Sequence, residues 1–468
     1  MNLPPPPRRV SFPLVALCLC AVAFALTASR AYAGPLVPPA GAVGSTGKTL
    51  TEVEPRIAIS ATNTPGNATA SFRINAPGSY YLTGNITGES GKHGIQIASS
   101  GVTLDLNGFE LRGVAGSLDG VNISAFRGRN IEVKNGALRN WGDCGLEMEQ
   151  NAGNPPIAML KDLRASLNTR DGIRVETWSS AVDCKAYENG GHGFIGPSSS
   201  SFVRCSASIN TLTGITVNHS SSVVDCVATS NDTTGIAVNS NCVVRGCVSS
   251  FNAAGYTGLS SVFESCSAYF NTLDGFDLSF GALVRGCSAY NNEGNGFSLS
   301  NYSSLVDSVA SANTLSGVVA NTGASVRGCS VSANDGLGVS LASGAQAIDC
   351  VIVNNLGTGV VASSNTLVRG NNVVNNGGTL ASNANIRLTG SDARLEDNNV
   401  SDAPIGIEVV GAGNIIVRNT ASSNTVNWSV SAGNACLVVL ATTTSAAITG
   451  DSGGASPGST NPNANYTY

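Results

Sequence analysis

Charge is scarce in this chain. Only 12% of residues are charged and 6% are aromatic, and there are three His, three Trp and three Met. No basic patch is available to meet a phosphate backbone, which argues against nucleic acid as the main partner. Lys, Glu and Leu are sparse, so long helices have little to build on. The longest apolar run, Leu14 to Leu26, is 13 residues, too short to cross a bilayer. No C-x-x-C pair suggests a metal site, and none is expected, nor any cofactor.

What is present is Gly (55 residues), Ser, Thr, Asn, Val and Ala, with 42% hydrophobic residues overall. That is enough apolar content to bury a core. Small and β-branched residues in alternation suit strands. Arg8-Arg9, the Leu14–Leu26 run and Ala31-Tyr32-Ala33 together read as an export signal over residues 1–33, with Gly34 as the mature start. The expected location is secreted, periplasmic or on the cell surface. The Arg pair leaves twin-arginine export open. Losing Arg8, Arg9 and Arg30 takes the formal charge from −5 to −8.

A repeat dominates everything after residue 140. Asn168, Asn189, Asn210, Asn231 and Asn252 are 21 apart; one step of 19 reaches Asn271, and steps of 21 resume through Asn292, Asn313, Asn334, Asn355 and Asn376. Five residues before each Asn from Asn189 on stands Cys184, Cys205, Cys226, Cys247, Cys266, Cys287, Cys329 or Cys350, with Ser308 and Asn371 in the same slot. A small residue follows two later, as at Ala186, Ala207 and Ala228. Gly-apolar-x-apolar comes after the Asn, as in Gly214-Ile215-Thr216-Val217. Cys-x-Ala and Gly-Ile-x-Val are period-2 patterns, so each predicts a short strand with one buried face. Such strands bury a core only when coils stack. A coil of 21 is too short for a propeller blade or a strand plus full helix.

This pattern resembles the right-handed parallel β-helix of the pectin-lyase-like superfamily, over roughly residues 80 to 435. The resemblance implies an all-β solenoid of about 15 coils with an N-terminal cap, roughly 70 Å long at ~4.8 Å per coil. It also implies a structural ladder of stacked turn asparagines, including Asn189, Asn210, Asn231, Asn252, Asn313 and Asn334. Cys184, Cys205, Cys226 and Cys247 belong to a second column, expected as buried thiols rather than disulfides, because in-register side chains run parallel. Cys144, Cys242 and Cys436 stand off that column. The expected organisation is a leader and cap over 34–90, the helix over 91–435, and a C-terminal cap and flexible tail over 436–468.

Members of the superfamily act on acidic polysaccharides. Gly191-His192-Gly193 resembles a polygalacturonase motif, but the paired aspartates that should accompany it are absent. The repeats are similar to those of mannuronan C5-epimerases, but Asp274-Gly275-Phe276-Asp277 runs on into Leu278-Ser279 and lacks that family's Tyr, Pro and His. Periplasmic β-helix proteins that assist copper-enzyme maturation share the repeat style. Register offers a constellation of its own. Asp171 and His192 fall one coil apart, three residues after their Asn, and Asp143 holds that slot relative to Asn140. Lys185 and Arg164 stack in another column, and Arg174 follows Asp171. A carboxylate, an imidazole and a cation could together abstract a proton beside a sugar carboxylate. Asp171, His192, Lys185 and Asp143 are therefore the candidate catalytic residues, and Arg164 and Arg174 the candidate binding residues. The bland reading is solvated turn residues. The functional expectation is interaction with polysaccharide; the alternatives are a non-catalytic structural or adhesive rod, and a polysaccharide lyase or epimerase.

A double period remains. Val306-Asp307 and Ile348-Asp349 alternate with Arg327-Gly328 and Arg369-Gly370 before the Cys slot. It predicts a stripe of alternating charge, Asp307, Arg327, Asp349 and Arg369, along one edge.

Overall fold

A computed structural model describes residues 54–124, 128–150, 154–378, 380–440, 447–450 and 461–468. The expected export signal and residues 34–53 of the expected leader and cap lie outside the described residues. The compact unit begins at Arg56.

Every described strand pairing but one isolated bridge is parallel, and no helix is present among the described residues. One coil shows the plan. Ile215–Val217 lies on a first face, Ser222–Val224 on a second and Val227–Thr229 on a third. Each pairs with its equivalent 21 residues on: Ile215 with Ile236, Ser222 with Val243, Val227 with Val248. Among the described residues the first face holds 18 strands, one per coil. The fold is thus an all-β parallel solenoid. It has about 18 coils rather than 15. Stacking begins at Ile57–Ala58, which pairs with Tyr80–Tyr81, and it includes Asn465–Thr467, which pairs with Thr420–Ser422. At ~4.8 Å per coil the rod is about 85 Å long.

Inward positions of the three faces fill the bore. Tyr256, Phe276 and Phe297 stack there with centroids 4.6 and 4.8 Å apart. The small column is dictated by the corner beside it: a Cβ on Gly214 would stand 3.1 Å from Ala228 Cβ and 2.7 Å from Asn231 Nδ2. The asparagines form a continuous buried ladder. Asn231 Nδ2 donates to Asn252 Oδ1 (3.0 Å) and Ala207 O (3.2 Å), while its Oδ1 accepts from the Asn210 backbone N–H (3.1 Å) and Nδ2 (2.9 Å). Each Asn satisfies turn backbone that a coil bend would leave orphaned.

The ladder departs from the expected register at both ends. Trp141, not Asn140, occupies the Asn slot of its coil; its N–H donates to Asn168 Oδ1 and its indole Nε1 to Leu111 O. Near the C-terminus Ala403 fills the slot, and its N–H donates to Asn424 Oδ1. Asn385 joins the ladder from the next strand, accepting from Asn376 at 2.9 Å. A second ladder, Asn371, Asn398, Asn419 and Asn465, continues the Cys column.

All eight column cysteines are buried free thiols. Cys242 belongs to another buried column, between Ser221 and Ser261. The 19-residue coil loses one residue at each of two turns, so Gly255 follows Asn252 by three and Ser261 follows Gly258 by three.

The charge stripe does not form as expected. Arg327 pairs in register with Val306, so Asp307 meets Gly328 instead. Both sit at positive φ, 50° and 62°. A Cβ on Gly328 would lie 2.5 Å from Asp307 Oδ1, so the aspartate occupies space that only glycine leaves open. Ion pairs in this column form where Arg itself takes the bend, as in Asp183–Arg204 and Asp397–Arg418, both bidentate.

Candidate functional site

Each coil enters the first face through a residue followed by Gly or its equivalent. In five successive coils that entry residue is His93, Asp119, Cys144, Asp171 and His192, joined by backbone bonds from Gly94 N to Asp119 O through Gly172 N to His192 O. Three residues on, Gln96, Asn122, Glu147 and Arg174 stack in register. Parallel stacking therefore gathers nine polar or titratable side chains into one strip at one edge of the rod. In the following coils the entry residues become Thr213 and Thr234.

Each carboxylate in the strip has a cationic or imidazole neighbour. Asp119, buried, lies 3.0 Å from His93 Nδ1 and accepts from Cys144 N–H (3.0 Å) and Asn122 Nδ2 (3.2 Å). Asp143 pairs with Arg170 at 2.9 Å. Asp171, buried, accepts the His192 backbone N–H at 2.8 Å and stands 3.6 Å from Arg174 Nη1. Arg174 Nε lies 3.9 Å from Glu147 Oε1. Burial, reinforced by Asp119 and Asp143, pushes the Glu147 carboxyl up to about 7, against the pull of Arg174 and Arg170. Burial also pushes the Cys144 thiol up, so it is a neutral thiol at neutral pH. It pulls His192 below the usual imidazole range, against the raising effect of Asp171. His192 is then a neutral base at neutral pH.

A cleft of about 360 Å³ opens at the C-terminal end of this strip, lined by residues that include Arg170, Asp171, Arg174, His192 and Leu212. The structure thus brings together Asp171, His192 and Arg174. It does not bring Lys185 and Arg164 to that cleft. They pair in register on the third face and line a separate cleft of about 160 Å³ with Asp162 and Asp183. Asp143 sits one residue off the expected slot. Because Trp141 takes the Asn position, Cys144 falls in the entry column and Asp143 turns outward to Arg170.

His93, Asp119, Cys144 and Glu147 escaped the period-21 alignment because the early coils are 25 to 27 residues long. A search on polar-Gly-apolar would have found them, in His93-Gly94-Ile95, Asp119-Gly120-Val121 and Cys144-Gly145-Leu146. The ligand atoms of Asp119, Cys144 and Glu147 lie within 4.8 Å of one another and could meet a cation. Both oxygens of Asp119 already accept hydrogen bonds, so a metal would have to displace them.

The fold and the strip define a class, a parallel β-helix with one titratable edge. Among solved structures the chain is similar to the A-module of the Azotobacter vinelandii mannuronan C-5 epimerase AlgE4, at 13% identity over 82% of this chain and 91% of that one, with a TM-score of 0.32. It is also similar to a chain of the Vag8–C1 inhibitor complex (12% identity, 84% and 99% covered, TM-score 0.45) and to pectate lyase Pel9A (16% identity, 61% and 71%, TM-score 0.31). Identities and scores this low say nothing about what this chain binds or acts on. No family model matches the sequence, and no curated protein does.

Proposed function

We propose that this protein is an exported polysaccharide-interacting rod, and that its ligand contact is the Arg170–His192 cleft. One observation carries the reading. Arg174 Nε and His192 Nδ1 are buried, make no hydrogen bond within the protein, and belong to residues lining the same cleft. Buried polar atoms without partners are rare and costly. The pair asks for a ligand that offers an acceptor to the guanidinium and a hydroxyl to the imidazole. A sugar acid supplies both, and a linear polymer can lie along the strip from coil to coil. Asp171 is committed to the His192 backbone and to Arg174, so it orients rather than abstracts. Any proton abstraction would fall to the neutral His192. The export expectation rests on residues 1–33.

The test is binding of the purified protein to alginate and pectate, with dextran as a neutral control and uronate turnover followed in parallel. Arg174→Ala should weaken binding by about ten- to a hundredfold, the worth of a hydrogen bond to a charged group. Binding of both acidic polymers that is unchanged in Arg174→Ala would overturn the reading. Turnover lost in His192→Ala would add catalysis to it. Binding without turnover leaves a non-catalytic rod with a specific cleft.

A further inference from the structure

The Asn-turn edge of the rod carries exposed apolar side chains where folding does not call for them. Phe251 and Phe270 are 56% and 45% exposed, Leu273 58%, Tyr290 46%, Leu315 51% and Leu356 55%. Phe251 and Phe270 also sit at positive φ, in a column that holds Ser, Asn or Ala in the coils after them and at Ser230, and Leu167, Glu188 and Ile209 nearer the N-terminus. They stack 5.2 Å apart, with Tyr269 and Tyr290 set nearly perpendicular to them.

The size of these residues alternates in a particular way along the edge. Two residues after the ladder asparagines, the stacked order is Leu273, Gly294, Leu315, Gly336. One residue after them it is Thr272, Glu293, Thr314, Asp335. One residue before, it is Phe270, Asn291, Ala312, Ala333; two before, Tyr269, Tyr290, Ser311, Ser332. Now set a second rod against this edge, antiparallel, with the two-fold axis between the coils of Asn292 and Asn313. Each column then faces itself in reverse. Leu273 meets Gly336 and Leu315 meets Gly294. Phe270 meets Ala333. Tyr290 meets Ser311 and Tyr269 meets Ser332. Glu293 faces Thr314 and Asp335 faces Thr272, so no carboxylate opposes another. Four columns are complementary about one centre. A parallel pair would instead set Phe270 against Leu273 of the same coil.

We propose that this edge is an isologous interface between two antiparallel copies of the chain. Its six exposed apolar side chains offer on the order of 500 Å² of surface at roughly 150–250 Å² for a large side chain. That matches the apolar share of a standard interface of about 800 Å² per partner. Single exposed apolar residues need no explanation, but several gathered along one edge do. The cleft at Arg170–His192 lies coils away toward the N-terminus, so pairing leaves it open and the inference does not depend on the polysaccharide reading.

The experiment is sedimentation of the purified full chain at roughly 1 to 100 µM, a range that resolves weak and tight pairs. A dimer is expected. Leu315→Glu and Phe270→Glu should shift it to monomer by more than tenfold in Kd. Tyr302→Glu, an exposed substitution on the turn between the first- and second-face strands Phe297–Leu299 and Ser304–Val306, should leave it unchanged and so control for charge alone. Circular dichroism of each variant checks that it is folded. Orientation is read from oxidised cysteine variants: T272C mixed with D335C should cross-link between chains, and neither alone should. A monomer throughout the range overturns the proposal, whether or not the patch then retains dextran or lipid vesicles. A dimer indifferent to both Glu substitutions, or T272C cross-linking to itself, overturns it as well.

Discussion

Glu147 and His192 stand on either side of Arg174, two coils apart, and burial moves them in opposite directions. Glu147 is raised to about 7 from an ordinary 4.5. A carboxyl raised on folding contributes stability that is complete below its unfolded value and is lost as pH rises through the folded one. Glu147→Gln should therefore raise the melting temperature more at pH 8 than at pH 6, with the difference gone near pH 4. A gain that is flat with pH would show that Glu147 is not held by its buried neighbours. His192 responds from the other side. Its pKa is lowered by burial, so the stability of its neutral form is present above the unfolded imidazole value and fades as pH falls below it. The two senses are separable by thermal melts across pH on single variants.

At the scale of the element, the turn rather than the strand sets the register. Three-residue strands such as Ile215–Val217 carry little information individually. The buried Asn at each bend fixes where the coil above must sit. Asn231→Ala should cost about 1–3 kcal/mol, because Asn210 and Asn252 each lose a buried partner. Asn239 Oδ1 accepts only from the neighbouring Ser240 N–H, on a half-buried turn, so Asn239→Ala should cost little. Equal melting temperatures for the two would refute the ladder as a source of stability. The Asp–Gly alternation at the second-to-third bend is explained at this scale too. Both residues satisfy a positive φ, and the carboxylate of one fills the space above the other.

For the whole molecule, the thiols report on closure of the rod. Ten of the eleven described cysteines are buried and one, Cys436, is half-buried. Alkylation of the native protein should therefore modify Cys436 first and leave the column untouched, while denaturant exposes all of them. Rapid native labelling of Cys226 or Cys247 would mean that the coils open locally, as a nearest-neighbour solenoid can.

How much of this was legible beforehand varied by region. From Asn168 to Asn376 the coils keep a length of 21 but for the 19-residue step to Asn271, so asparagine, cysteine and glycine positions can be read directly as columns. Before Asn168 the coils lengthen by several residues and Trp141 replaces the first asparagine. The alignment then slipped by one, placing Asp143 where Cys144 belongs. The expected charge stripe joins Asp307, the second residue of its pair, to Arg327, the first of the next, and so runs one position out of register. A strand's side chains alternate faces at every residue, so an error of one changes which groups meet. Lys185 follows the Cys slot by one residue and His192 follows the ladder Asn by three, and spacing alone does not say how far apart those columns lie. In the fold a strand and a bend separate their clefts.

The sequence by itself determined the repeat, the parallel β architecture, the asparagine ladder and the burial of the cysteines, because each follows from a local pattern recurring at one period. Only the tertiary structure decided which residues share an edge. The strip from His93 to His192 and the size-matched columns from Phe251 to Leu356 both arise by stacking residues 19 to 27 positions apart, and an offset of one residue would dissolve either. Periodicity fixes what a coil is. Register, set by the buried contacts of whole coils, fixes what its side chains meet.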